Sequence, residues 1–198
     1  MSKKAEVTCS FIGLGLIGGS IAKALRQAYP EMILKAYDKD PDGLSLARKD
    51  GVISESYDAL TDSFFDCDYL FLCAPVSEND HFLGQIRQSL HTDTIVTDVG
   101  SVKQTTHAAI EKAGLSSVFI GGHPMAGSEK TGYRNASERL LENAYYILTP
   151  TQESPVTAIQ GLQTLISSIG AIPLIMDYHT HDYVTAAVSH LPHIISAG

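Results

Sequence analysis

The stretch Cys9-Ser10-Phe11-Ile12-Gly13-Leu14-Gly15-Leu16-Ile17-Gly18-Gly19-Ser20 constrains this chain more than any other part of it. Val7 to Ile12 is short, apolar and β-branched at both ends, the pattern of a strand buried on both faces. Gly13 allows a tight turn, Gly15 lets a pyrophosphate approach the backbone, and Gly18 lets the next helix lie close to the strand. The first turn of that helix, Leu16-Ile17-Gly18, offers free N–H groups and a positive dipole end to the same pyrophosphate. A bare G-x-G-x-x-G is a weak signal, but its context here is in order. Ile21, Ala24, Leu25 and Ala28 carry a helical period, Ile33 to Tyr37 follows as a strand, and Asp38 closes that strand. Asp38 lies about 20 residues beyond the last glycine, where a carboxylate takes the hydroxyls of an adenosine ribose. The expected cofactor is NAD, because the Asp38 carboxylate repels a 2′-phosphate, although Lys39 beside it softens that preference.

The rest of the chain alternates strands and helices. Asp40-Pro41 caps a short helix that stops at Gly51, Val52 to Ser56 reads as a strand, and Tyr57 to Asp68 as a polar connection. Tyr69 to Cys73 is a central strand, followed by Ala74-Pro75-Val76 and a helix from about Glu78 to Leu90. After the strand Ile95–Asp98, Ser101 and Gln104 match a capping box for a helix ending near Gly114. Val118 to Ile120 reads as a strand, and Gly121 to Glu129 as a loop too rich in glycine and proline for regular structure. Strand Ala144–Leu148, a helix capped by Ser154-Pro155 and running to Gly170, and strand Ile172–Met176 complete the series. This is an α/β pattern, a Rossmann-type, doubly wound, mostly parallel sheet. Residues 1–176 form the dinucleotide-binding domain in this reading. From Asp177 a helix apolar over much of its circumference begins, so residues 177–198 read as the start of a second domain, cut short or supplied by another chain.

Composition narrows the partners. A formal charge of -8 and a pI near 5.4, with no basic cluster, argue against nucleic acid and against anionic membrane. No apolar run reaches the ~18 residues that span a bilayer. Lys3 and Lys4 ahead of an apolar stretch superficially resemble a secretory signal, but Glu6 and the density of glycine speak against one. Cys9, Cys67 and Cys73 are odd in number and form no C-x-x-C, which fits a reduced, cytoplasmic setting.

Ligands of an open parallel sheet bind outside the carboxyl ends of its strands. Three connections therefore face the nicotinamide end of a dinucleotide: Ala74-Pro75-Val76, Asp98 to Ser101, and Gly122-His123. They bring together Asp98, Ser101, Lys103, His123, Ser128 and Glu129. Three of them have a plainer reading beside the functional one: His123 as a loop histidine, Ser101 as a helix cap, Asp98 as an acceptor for loop N–H groups. His179, His181, His190 and His193 lack a cysteine or acid to complete a ligand set, so no metal is expected.

Gly13 to Ser20, Asp98-Val99-Gly100-Ser101-Val102-Lys103, Gly122 to Glu129 and Ser189-His190-Leu191-Pro192-His193 together resemble the prephenate dehydrogenase family, whose arogenate-using relatives share these motifs. The resemblance covers essentially the whole chain. It implies an NAD-dependent oxidative decarboxylation of prephenate to 4-hydroxyphenylpyruvate in tyrosine biosynthesis, with arogenate as the alternative substrate. It also implies that His123 takes the proton of the substrate's 4-hydroxyl and that Ser101 orients hydroxyl and nicotinamide. Ser128, Glu129, Ser189, His190 and His193 would line the substrate pocket, and Gly13, Gly15, Leu16, Ile17, Gly18, Asp38, Ala74, Pro75, Val76 and Ser101 would hold the cofactor. The family continues into a helical domain that makes a homodimer and carries a carboxylate-binding basic residue, so this shorter chain is expected to bind dinucleotide and to turn over poorly. A module that only senses NAD(H) is the alternative of another class. A hydroxyacid-type dehydrogenase would want a lysine on the last helix, and none stands between Asp177 and Gly198.

Overall fold

A computed structural model describes residues 7–74, 76–91 and 93–187, of which 76–81 as backbone alone. Strands β1 (Thr8–Ile12), β2 (Ile33–Tyr37), β3 (Glu55–Tyr57), β4 (Tyr69–Leu72) and β5 (Ile95–Asp98) form one sheet in the order β3-β2-β1-β4-β5. All four pairings are parallel, with Phe11 opposite both Ala36 and Phe71. The Phe11 and Phe71 rings stack at 4.9 Å, a cross-strand pair that pins the register of the two central strands.

Helices cover both faces, which is why the strands carry near-continuous apolar runs. On one face Cys9 and Phe11 meet α1 (Leu16–Ala28), α2 (Pro41–Lys49) and α6 (Val156–Ser168) through Ile21, Leu25, Leu44, Leu162 and Ile166. On the other, Ile12, Leu70 and Leu72 meet α3 (Asp62–Phe65), α4 (Val76–Ser89) and α5 (Gln104–Ala113) through Phe64, Leu83, Ile86 and Ile110. The doubly wound arrangement expected from the pattern is present. Asp40 caps α2 by accepting from Asp42 N at 3.1 Å, with Pro41 in the first turn, as the sequence requires.

A second sheet, β6 (Ile120–Pro124), β7 (Tyr145–Pro150) and β8 (Ile172–Ile175), continues the layer through a parallel bridge between Val96 and Phe119. β6 runs antiparallel to β7, and β7 parallel to β8. This corrects the loop expected at Gly121 to Glu129, because Gly121 to Pro124 are strand. The glycines are there for space. A Cβ at Gly122 would stand 2.4 Å from Asp98 O, and one at Gly121 2.2 Å from Thr149 Oγ1.

Other local expectations shift for equally physical reasons. β3 begins later than Val52, since Val52 and Ile53 are buried in the core and the ladder to β2 starts at Glu55. The connection from Tyr57 to Asp68 contains α3, whose Phe64 and Phe65 are fully buried. α3 also satisfies two buried polar strand residues: Ser10 Oγ donates to Phe64 O at 2.7 Å, and Lys35 Nζ donates to Ser63 O and Asp66 O at 2.6 and 2.8 Å. Ser154 does not cap α6; its hydroxyl donates to Phe119 O at 2.8 Å, and Pro155 holds the cap position.

The capping box at Ser101 is also absent. α5 starts at Gln104, and the carboxylate that caps it comes from Asp182 on α7 (Tyr178–Thr185). Lys103 N donates to Asp182 Oδ1 at 2.8 Å and Gln104 N to Oδ2 at 2.9 Å. A charged cap from a distant element satisfies two N–H groups at once and meets the helix dipole, which a serine hydroxyl cannot match. α7 differs from its expected apolar character in its described part: the residues it buries are His181 and Thr185, while Tyr183 is 79% exposed. Among the described residues, no helix is long and apolar enough to cross a membrane.

Gly122→Ala should destabilise the protein by about 1–3 kcal/mol, because the methyl group would meet backbone that cannot yield cheaply. The expected result in calorimetry is a Tm several degrees lower, with an unchanged far-UV spectrum.

Candidate active site

The carboxyl ends of β1, β2 and β4 open into a cavity of about 320 Å³, lined by Gly13, Gly15, Asp38, Cys73, Ala74 and Gly132 among others. A larger apolar cleft of about 670 Å³ includes Val7, Met32 and Tyr69, at the amino ends of the same strands. The chemistry of an open sheet belongs to the former. Gly13 has φ +94°, and a Cβ there would stand 2.6 Å from Ala74 N, so only glycine closes the turn against the segment after β4. A Cβ at Gly15 would meet nothing within 4 Å, which leaves that side of the turn open to a ligand. At Gly18 the added atom would stand 2.4 Å from Gly13 O, so α1 needs glycine to lie against its own turn.

Gly15 occupies the cap position of α1 with no side-chain cap, and no acidic residue stands in the helix's first turn. Leu16 and Ile17 open that helix. Asp38 is fixed by backbone: Leu14 N–H donates to its Oδ2 and Asp40 N to its Oδ1, the latter at 2.8 Å. Its carboxylate is therefore held at the end of β2 on the rim of the cavity. These residues fit a dinucleotide. They supply free helix N–H groups for its pyrophosphate and an oriented carboxylate for its ribose.

Asp98 is the junction between this cradle and the second sheet. It is fully buried, with Oδ2 accepting from Gly100 N and Oδ1 from Gly122 N, both at 3.0 Å. The buried Lys103 ammonium donates to Asp98 Oδ2 and, at 2.8 Å, to Gly122 O. Burial pulls the Lys103 pKa down, and the Asp98 charge opposes that. One carboxylate thus ties the residue before Ser101 to the residue before His123, so the plain reading of Asp98 is the one its geometry supports. Ser101 lies exposed in the bend between them.

His123 is 8% exposed. Its Nδ1 lies 2.8 Å from Nε2 of His181, and His181 Nδ1 lies 2.7 Å from Asp182 Oδ1. Burial, then His181 and Lys103, push the His123 pKa down to about 4, against the pull of Asp98 and Asp182. Burial raises the Asp182 pKa, but the N–H groups of Gln104 and Lys103 and the His181 ring outweigh it and hold the carboxyl below its usual value. His107 on α5 holds α7 from another side, stacked at 4.3 Å on Tyr178, with its Nε2 2.9 Å from Thr149 Oγ1.

Not every expected residue converges. Glu129 is exposed, and the Ser128 hydroxyl turns back to accept from Lys130 N at 3.2 Å. Pro75, Ser189, His190 and His193 lie outside the described residues, and Val76 is described only as the backbone that opens α4. The sequence reading missed His181 and Asp182. An adjacent His-Asp pair beginning one turn after a helix cap is the signal available for them.

Comparison with known proteins fits this geometry. Residues 21–173 match the family model described as prephenate dehydrogenase, nucleotide-binding domain. The chain belongs to the prephenate dehydrogenase family. It is 36% identical to prephenate dehydrogenase of Bacillus subtilis over 96% of this chain and 52% of that protein. Against the Lactococcus lactis prephenate dehydrogenase it is 38% identical over 94% of this chain and 51% of the relative. The chain thus spans about half the length of these curated members of the family. The Aquifex aeolicus prephenate dehydrogenase, crystallised with hydroxyphenyl propionate and NAD+, superposes with a TM-score of 0.89 at 32% identity, covering 98% of this chain and 68% of that one. Synechocystis arogenate dehydrogenase superposes with a TM-score of 0.88 at 30% identity over 96% of this chain and 67% of that structure.

The pH dependence of stability follows from the two buried histidines, His107 and His123, both lowered from 6.5 to about 4 by burial first of all. The unfolded chain takes up their protons before the folded one, so stability falls as pH drops from about 6.5 toward 4 and is fully present above that window. A Tm measured across pH 4–8 should show this slope, and His107→Gln should flatten it.

Proposed function

We propose that the full-length protein catalyses NAD-dependent oxidative decarboxylation of prephenate to 4-hydroxyphenylpyruvate. The observation that carries this is His123, a buried and neutral imidazole set just beyond the end of β5, next to a dinucleotide cradle on this family's scaffold. The cofactor, when bound, accepts the hydride from C4 of the substrate. Gly13, Gly15 and Gly18, with the first turn of α1 at Leu16 and Ile17, hold its pyrophosphate, and Asp38 holds its ribose. Ala74, with Pro75 and Val76, borders the nicotinamide.

The substrate's 4-hydroxyl faces His123, and its proton passes to the ring nitrogen not engaged with His181. The O–H electron pair becomes the carbonyl bond as hydride leaves. Loss of the ring carboxylate as carbon dioxide then restores aromaticity and makes the step downhill. Ser101, on the bend that Asp98 ties to the His123 strand, orients hydroxyl and nicotinamide. Neutrality of His123 down to about pH 4 keeps it able to accept across the physiological range.

Substrate-side contacts from Ser189, His190 and His193 complete the site in this reading. Residues 1–176 are the dinucleotide-binding domain and 177–198 the start of a helical one. Ile172, Leu174 and Ile175 on β8 and Tyr183 on α7 expose an apolar surface that suits burial by that helical domain, through which the protein would dimerise. The protein would work in the cytoplasm. Arogenate is the second substrate to consider, because Synechocystis arogenate dehydrogenase shares this fold so closely.

The deciding assay follows NADH absorbance with prephenate and, in parallel, arogenate, on the chain extended to the length of its relatives. Turnover of either confirms the reaction class, and turnover of neither by a protein that binds NAD favours a sensor. His123→Asn should retain NAD binding by calorimetry and lose about 10²–10⁴-fold in kcat, the range for a positioned base. Asp38→Ala should weaken NAD binding and narrow the gap to NADP. An unchanged NAD-to-NADP ratio would remove Asp38 from the ribose site.

A further inference from the structure

Two imidazoles facing each other, each with one ring hydrogen, can be joined in two ways, and here the surroundings choose. His123 Nδ1 and His181 Nε2 stand 2.8 Å apart, so one nitrogen must carry the hydrogen and the other the lone pair. On its far side His181 presents Nδ1 to Asp182 Oδ1 at 2.7 Å. That carboxylate oxygen already accepts from Lys103 N, and its partner oxygen from Gln104 N, so the group stays ionised and offers only lone pairs. A bare Nδ1 on His181 would face it lone pair to lone pair. His181 therefore carries its hydrogen on Nδ1 and its lone pair on Nε2. His123 must then donate from Nδ1, which leaves Nε2 as its acceptor.

We infer that His181 and Asp182 are positioning residues for His123, fixing it in the tautomer whose Nε2 is free to take a proton. The inference builds on the reading of His123 as the base, and gives that base its orientation. Bond by bond, the substrate proton moves from its hydroxyl oxygen to Nε2 of His123, and the resulting imidazolium keeps its Nδ1–H on His181 Nε2. His181 is polarised in turn by the Asp182 carboxylate. This chain of contacts gives the developing charge a destination that a histidine with so depressed a basicity otherwise lacks.

The charged and polar groups around the pair act in the same direction. Lys103, on the α5 side, is engaged by Asp98 and Gly122 O rather than by either ring. Thr185 Oγ1, one turn further along α7, lies 3.4 Å from His181 Nε2, too far to displace His123 at 2.8 Å. The rings meet edge to face, with an interplanar angle of 72° and centroids 5.1 Å apart, the geometry of an in-plane nitrogen-to-nitrogen contact rather than a stack.

The test is the ¹⁵N spectrum of the imidazole rings in this chain, which reports directly which nitrogen of each histidine is protonated. At pH 7 His123 and His181 should both be Nδ1–H tautomers. In His181→Phe, which keeps an aromatic ring in the buried slot, His123 should pass predominantly to the Nε2–H form. In the full-length protein the same change should lower kcat by about 10²-fold while leaving NAD affinity within twofold, an effect in the same direction as, and smaller than, the ~10⁴-fold loss when an orienting carboxylate is removed from a catalytic histidine. An Nε2–H tautomer at His123 in the unaltered chain overturns the inference whether or not the variant folds, and so does an unchanged tautomer in His181→Phe. The spectrum needs no substrate. A protein that shows the fixed tautomer yet turns over neither cyclohexadiene would overturn the proposed reaction and uphold this inference.

Discussion

The arrangement depends on one buried carboxylate. Asp98 sits at the end of the edge strand of the parallel sheet, where the chain must turn out of β5 and where β6 must begin alongside. Its oxygens take the N–H groups of Gly100 and Gly122 and the ammonium of Lys103, which in turn holds Gly122 O. A charge so buried is tolerable only with this degree of satisfaction, and removing one partner would leave the other uncompensated. The pair is better understood as setting geometry than as adding stability. It fixes how far the second sheet stands from the first, and so where His123 stands relative to the glycine turn.

Around that junction the glycines act as spacers more than as hinges. Gly18 brings α1 against its own turn, Gly122 brings β6 against Asp98, and Gly19 leaves room for Tyr133 and Ala136 from the long segment after β6. That segment is stitched to α1 by Ser137 N donating to Ser20 Oγ and by Lys23 Nζ donating to Ala136 O, at 3.0 and 2.8 Å. Tyr133 reaches back to Asp50 through its hydroxyl at 3.1 Å. The wall of the dinucleotide cavity is therefore held by contacts far apart in sequence.

Such contacts explain what the sequence made legible and what it hid. The glycine turn, α1, β2 and Asp38 could be read because their determinants lie within one short, periodic stretch. His123 could be placed at a strand end for the same reason. The N-terminus of α5 could not, because its cap is supplied by Asp182 from the far end of the chain, and Ser101 offered a local decoy. β6 was hidden because Gly121, Gly122 and Pro124 weigh against a strand, whereas close approach of Asp98 and Thr149 demands small residues there. α3 was hidden because Phe64 and Phe65 are too few to show a period. Ser128 and Glu129 were placed by motif, and no local signal says which way their loop turns.

Asp182 serves two masters with one carboxylate. Both oxygens close the N-terminus of α5, one of them, Oδ1, also meets Nδ1 of His181, and α7 is further anchored to α5 by the stack of His107 on Tyr178. Displacing α7 from α5 would therefore strip a helix of its cap and His123 of its partner ring in a single movement. The helix behaves as a latch: whatever holds it in place keeps His181 against His123, and whatever lifts it parts that pair while the glycine turn and Asp38, tied to the first sheet, keep their contacts.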